Sequence, residues 1–196
     1  MLFSEPFGGV IPGARGAVLA VLLRTDTPLT GRQIHALVSD DYSLWTVQGA
    51  LKALTQLGLV DTRAIGRAGV HTINEDHVSV APLRVLLDPI TALTDTVRDA
   101  VGDDVKAVIL FGSIARGEAN LHSDVDLAVI APADWDGRTD LEDAVRTRLG
   151  STCDVLVFTA KDFTNRSGTG EPVVREILAD GIALIGSIPR MNNGAA

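Results

Sequence analysis

Apolar residues recur at helical spacing in the first part of the chain and as short β-branched runs after residue 104. Between 14 and 24, Val18, Leu19, Val21, Leu22 and Leu23 form the apolar side of a first helix. Thr27-Pro28-Leu29-Thr30 breaks that pattern, and Thr30 is placed to cap a helix running through Val38. After Ser39-Asp40-Asp41-Tyr42, Ser43 caps a third helix whose Leu44, Val47, Leu51 and Leu54 share one face. Val60 to Ile65 and Val70 to Asn74, joined around Gly66 and Gly69, predict a short hairpin. The stripe Leu83, Leu86, Leu87, Ile90, Leu93 and Val97 predicts, over 80–101, one long helix or two joined near Asp88-Pro89, where proline kinks or restarts the helix.

Beyond that stripe the signal is that of buried strands. Val105 to Phe111, Asp124 to Ile130 and Thr152 to Phe158 are short, apolar and rich in branched residues. Helices are expected at about 139–149 and from Glu171 to Ala179, with Ile182 to Ile185 as a short closing strand. Pro132 to Arg138 reads as a loop, in which Trp135 and Arg138 are surface residues more readily than contacts to a base or acceptor. Lys161 to Gly170, polar and glycine-containing, predicts a mobile loop, and Asn192 to Ala196 a disordered tail.

The strands bracket a recognisable chemistry. Gly112-Ser113-Ile114-Ala115-Arg116-Gly117 follows the first of them, and Ser123-Asp124-Val125-Asp126-Leu127 opens the second. Glycine lets the backbone approach a ligand closely, and free amides with a serine hydroxyl make a cradle for phosphate oxygens. Arg116, one turn on, adds positive charge. Asp124 and Asp126 stand at i and i+2 and project from one face of their strand. Close carboxylates repel, and Mg²⁺ takes hard oxygen ligands together with substrate phosphates. Asp154, near the start of the third strand, completes a three-carboxylate site if that strand lies beside Asp126. Two metals about 3.5–4 Å apart would then fit, and Asp154 would be positioned to take the proton of an attacking hydroxyl.

These motifs resemble the signature of the DNA polymerase β-type nucleotidyltransferase superfamily, most closely its minimal nucleotidyltransferase branch of prokaryotic toxin–antitoxin and defence loci. The resemblance covers about half the chain. It implies that Gly112 and Ser113 hold the phosphates of an NTP, with Arg116 and Ser123 as further nucleotide-binding residues. It implies that Asp124, Asp126 and Asp154 are catalytic and bind Mg²⁺, with Mn²⁺ as the other candidate. The implied reaction moves a nucleoside monophosphate to a hydroxyl acceptor with loss of pyrophosphate. By the same analogy the acceptor is a partner protein or the 3′ end of a tRNA; small molecules such as aminoglycosides are a further class.

The first part carries a second resemblance. Val47-Gln48-Gly49-Ala50-Leu51-Lys52-Ala53-Leu54, followed by Gly58-Leu59-Val60, is similar to the recognition helix and wing entry of bacterial winged helix-turn-helix regulators. That likeness makes operator DNA a candidate partner, with Trp45, Thr46, Gln48, Gly49 and Lys52 facing the major groove and Arg63 and Arg67 in the wing. Residues 1–80 hold six Lys/Arg against seven Asp/Glu, which leaves little electrostatic drive toward DNA. A docking or dimerisation role, a homodimer included, stands as the equal alternative, and an exposed Trp45 suits a protein contact.

The expected fold class is therefore α/β (α+β): a winged helix-turn-helix over 1–79, a connecting helix over 80–101, a small mixed-sheet nucleotidyltransferase domain over 102–190, and a tail over 191–196. The net charge of −8, with eleven Lys/Arg against eighteen Asp/Glu from residue 81 on, disfavours unaided RNA binding and favours a protein acceptor. The rival reading is a DNA-binding regulator whose transferase fold senses nucleotide without catalysis. Cys153 is the one cysteine, which excludes an internal disulfide and suggests a reducing compartment. There is no signal-peptide pattern and no membrane-length apolar run, so the expectation is a cytoplasmic protein without membrane contact. The four histidines have no metal-ligand spacing, and His122 reads as a loop residue. No Walker-type loop, dinucleotide fingerprint or nucleophile motif is present.

Overall fold

In the computed structural model, residues 1–66, 68–120 and 122–189 are described. They divide into two units: Glu5–Pro89, and Ile90 onward together with Met1–Ser4.

The first unit begins with a short 3₁₀ turn at Pro6–Gly9, followed by α1 (Gly13–Leu23), β1 (Leu29–Thr30), α2 (Gly31–Ala36), α3 (Leu44–Gln56), β2 (Val60–Ile65), β3 (Ala68–Ile73) and α4 (Val80–Leu86). Its two caps form where the sequence places them. Thr30 and Gln33 make a reciprocal capping box, with Gln33 N–H on Thr30 Oγ1 at 3.3 Å and Thr30 N–H on Gln33 Oε1 at 2.8 Å. Ser43 Oγ accepts from Thr46 N–H at 3.2 Å. The helices are held by one core in which Leu19, Leu22, Ile34, Val47, Leu51 and Leu54 are buried. The hairpin β2–β3 gains a third, two-residue strand: β1 pairs antiparallel with β3, giving the order β1-β3-β2. Periodicity could not show β1, because two residues carry no period.

The connection at 80–101 is two helices. The first, α4, belongs to the unit Glu5–Pro89, and the second, α5 (Pro89–Ala100), opens the other. Proline has no N–H to give to a preceding turn, so it starts a helix more easily than it continues one.

The second unit continues with β4 (Ala107–Phe111), α6 (Gly112–Ala115), β5 (Val125–Ile130), α7 (Arg138–Leu149), β6 (Cys153–Phe158), α8 (Ala160–Thr169), α9 (Pro172–Asp180) and β7 (Ile182–Ile185). The sheet order is β6-β5-β4-β7, with β5 and β6 parallel and β4 antiparallel to both β5 and β7. Every residue of β4 is buried. One sheet face packs Val108, Leu110, Leu127 and Val129 against Leu93 and Val97 of α5 and Leu141 and Val145 of α7. The opposite face packs Ile109, Ala128 and Ile130 against Phe163 of α8 and Val174 and Ile177 of α9. Strand alternation explains the split, since neighbours along a strand point to opposite faces. The Met1 ammonium donates to Leu149 O at 3.1 Å and Ser151 Oγ at 3.0 Å, which ties the first four residues to this unit.

One expectation fails. Lys161 to Gly170, read as a mobile loop, is the helix α8. Thr159 caps it by accepting from Asp162 N–H at 3.0 Å, Phe163 is fully buried, and Gly170 ends it in a left-handed conformation. A single well-placed aromatic and two good end signals outweigh a polar composition. The predicted tail at 191–196 lies outside the described residues. No described helix is long and apolar enough to cross a membrane.

Candidate active site

The chain leaves β4 at Phe111 and turns at Gly112, whose φ is +73°. A side chain is excluded there twice over. The backbone is left-handed, and a Cβ on Gly112 would lie 2.1 Å from Asp126 Oδ2. The turn thus rests directly on a carboxylate of β5. Across the other edge of β5, Asp126 stands in register with Asp154 of β6. Asp124 sits just before β5, and its Oδ1 accepts a hydrogen bond from the Thr152 hydroxyl. The alternation that places Ala128 and Ile130 on the α8–α9 face places Asp126 there too.

Electrostatics at this point are unfavourable to negative charge. Burial pushes the Asp126 carboxyl above its ordinary range, and the neighbouring charges of Asp154, Asp124 and Glu176 push it further; Arg116 opposes them. Cys153, one residue before Asp154, has its thiol pushed up to about 12, first by burial and then by Glu142 and the three aspartates. Among the described residues no set of three His, Cys, Asp or Glu side chains is gathered tightly enough to hold a metal ion. The donor set nonetheless has the chemistry of a Mg²⁺ site. Mg²⁺ is held by one or two carboxylates plus substrate phosphates more often than by a closed protein cage.

The other candidate nucleotide-binding residues divide. Ser113 is half-buried in α6, and its carbonyl accepts from Glu118 N–H at 2.9 Å. Arg116, at the end of α6, gives Nε to Glu118 at 2.8 Å and Nη1 to Glu176 of α9. Ser123 organises the loop leading into β5: its Oγ accepts from Asn120 N–H at 2.9 Å, and its N–H donates to Asn120 O at 3.1 Å. His122 is exposed in the same loop.

Glu176, Thr152 and Glu142 escaped the sequence reading. Glu142 of α7 takes Nε of Arg138 at 2.8 Å and the edge-strand N–H of Val155 at 3.3 Å. Arg138 is therefore the first residue of α7 rather than the last of a loop. No local motif announces their contacts, because Thr152 meets Asp124, Glu176 meets Arg116 and Glu142 meets Val155 across long stretches of chain.

In the first unit, Trp45 is 83% exposed at the start of α3, and Thr46 Oγ1 shares a 2.8 Å hydrogen bond with Ser43 Oγ. Gln48, Gly49 and Lys52 lie on the exposed side of α3, and Arg63 is exposed on β2. Arg67 lies outside the described residues.

Residues 95–187 match the family model described as polymerase beta, nucleotidyltransferase. No curated protein matches the chain. Among solved structures, a toxin–antitoxin with AMP-PNP is 22% identical at a TM-score of 0.40, over 50% of this chain and 74% of that one. The tri-AMPylated HEPN toxin of Shewanella oneidensis in complex with MNT antitoxin is 20% identical at 0.35, over 50% and 70%. A structure of the DNA recognition and protein interaction domains of HOP2 is 20% identical at 0.31, over 32% of this chain and all of that one. The family match encloses the Gly112 turn, both aspartates of β5 and Asp154: residues 95–187 are a polymerase beta-type nucleotidyltransferase domain.

Proposed function

We propose that the chain transfers a nucleoside monophosphate from an NTP to a hydroxyl of a partner protein, in a toxin–antitoxin setting. The observation that carries this reading is the register of Asp126 with Asp154 beneath the left-handed turn at Gly112. A turn without a side chain, set against adjoining carboxylates, suits a triphosphate approaching along the backbone. Asp124, Asp126 and Asp154 would hold Mg²⁺ or Mn²⁺, which supplies charge neutralisation on the phosphates and polarises the attacking oxygen.

The chain's own groups do the rest. The amides after Gly112 and the Ser113 hydroxyl orient the phosphates, and Arg116 exchanges a carboxylate partner for a phosphate oxygen. The acceptor hydroxyl oxygen bonds to the α-phosphorus and its proton passes to Asp154. The bond to the bridging oxygen breaks and pyrophosphate leaves. The excess of acidic residues after residue 80 favours a protein acceptor over RNA. We read the unit Glu5–Pro89, ordered helix, strand, two helices and two strands, as a winged helix-turn-helix.

The test is direct. Purified protein with Mg²⁺ and each α-labelled NTP in turn is added to lysate of its own host, beside an Asp124→Ala/Asp126→Ala variant. Label on a protein band that disappears in the variant is the expected result. Label on RNA replaces the acceptor, and no label above the variant despite NTP binding removes the catalytic reading in favour of a nucleotide-sensing regulator.

A further inference from the structure

The first unit contains a cavity of about 980 Å³ between the exposed side of α3 and the β2–β3 hairpin. Its wall is apolar at Leu51, Ile65 and Ala68. Two glycines, Gly31 and Gly69, are in its lining, and a Cβ on either would come no nearer than 3.5 Å to any neighbour, so there is room for a side chain there. The imidazole of His71 lies between them, its Nε2 4.0 Å from such a Cβ on Gly31 and 3.8 Å from one on Gly69. The other ring nitrogen, Nδ1, is fixed by Thr62 Oγ1 at 3.0 Å, which is in turn 3.1 Å from Thr55 Oγ1. A relay of three polar side chains, Thr55, Thr62 and His71, therefore lines the recess beside Leu51, Ile65 and Ala68.

The charge of the recess is the reverse of the chain's. The protein carries −8, yet among the described residues that line the cavity the charged ones are Arg32 and Lys52, and none is Asp or Glu. Among the described residues neither cation is in an ion pair. Arg84 of the same unit, by contrast, is held by Glu75 at 2.5 Å. Unpaired cations, a polar relay and apolar side chains around one cavity are the components of a small-ligand site, and the volume is in the range such sites occupy. Duplex DNA is a poor match, because it needs a basic surface that neutralises many phosphates, and this unit is near neutral.

We infer that the groove between α3 and the β2–β3 hairpin is a binding site for a small amphipathic organic anion, its acidic group toward Arg32 and Lys52 and its apolar body against Leu51, Ile65 and Ala68. This is independent of the nucleotidyltransferase reading, because every residue it uses belongs to the other unit.

The test uses the full chain and 8-anilinonaphthalene-1-sulfonate, whose fluorescence rises when its rings leave water. One saturable site is expected, with octanoate displacing the dye and inorganic phosphate failing to. Lys52→Glu is expected to weaken dye binding about tenfold, as loss of a charge-assisted contact does. Gly69→Leu adds a side chain to the lining and is expected to abolish binding with the circular dichroism and melting temperature retained. Gly31→Leu, from the opposite side, gives a second blocking variant should the first misfold. Dye binding indifferent to these substitutions overturns the inference. So does displacement by a short DNA duplex where octanoate fails, which would make the groove a nucleic-acid surface.

Discussion

Asp126 and Asp154 are direct partners across the parallel strands β5 and β6, and the backbone of Gly112 closes over the first of them. The fold thus sets two like charges on neighbouring strands and half-buries one of them. Such an arrangement opposes folding in the absence of a cation, so it gives measurable consequences for stability as well as for catalysis.

Asp126→Asn is expected to raise the stability of the metal-free protein at neutral pH. The folded Asp126 carboxyl lies above its unfolded value, through burial first and then the adjoining carboxylates. A group shifted in that direction contributes stability that is fully present below the unfolded value of about 3.9 and lost as pH rises through the folded one. The variant never pays that loss, so its advantage should be largest at neutral pH and shrink as pH falls through the folded value toward the unfolded one. Paired urea denaturation curves in EDTA between acid and neutral pH measure the difference, and an advantage constant with pH would remove the electrostatic cause.

Gly112→Ala is expected to destabilise the second unit by at least about 1–2 kcal/mol, the penalty of a left-handed backbone for a residue with a Cβ. The clash with Asp126 Oδ2 adds to it. The two contributions separate in a double-mutant cycle. Asp126→Gly should relieve the clash in the Gly112→Ala background and leave the backbone penalty in place. A fully additive cycle would show that the turn does not rest on that carboxylate.

Much of this geometry was legible before the structure. The i, i+2 spacing of Asp124 and Asp126 fixes a shared strand face, and the apolar run ending at Gly112 fixes where the turn falls. Asp154 was legible as a carboxylate at the head of a strand, though its neighbour depended on the order of strands. Glu176 and Thr152 were not legible at all, because their relation to Arg116 and Asp124 arises only when α9 and the start of β6 pack into place. The same reason hid Glu142, which covers an edge-strand N–H from the middle of α7. Composition misled at α8, where one buried aromatic decides the structure.

Cys153 is expected to react slowly with thiol reagents in the folded, metal-free protein. Its thiol is pushed up to about 12, against about 8.5 when unfolded. Thiolate is the reactive form, so at mildly alkaline pH the folded rate should fall about a thousandfold below that of the urea-unfolded chain. Iodoacetamide labelling followed by mass spectrometry reads both rates. Asp154→Asn, which removes one of the adjoining charges, should speed the folded reaction; an unchanged rate would remove the Asp154 charge as a cause and leave burial, Glu142 and the other two aspartates.

The helix α8 supplies the sharpest test of why a polar, glycine-containing segment is ordered. Phe163 is fully buried on the sheet face that bears Asp126, with its ring 5.6 Å from that of Phe158 in an edge-on contact. Phe163→Ala should therefore destabilise the second unit by about 3–5 kcal/mol, the range for truncating a buried aromatic. Thr159→Ala removes the cap on Asp162 N–H and should destabilise by about 1 kcal/mol. The two losses differ in kind. The capping variant should raise amide exchange only in the first turn of α8, whereas the aromatic variant should raise it through α8 and into β6, where Phe158 loses its partner. Hydrogen exchange followed residue by residue distinguishes them. Equal, local effects from both would mean that α8 is held by its own ends and not by the core beneath Asp126.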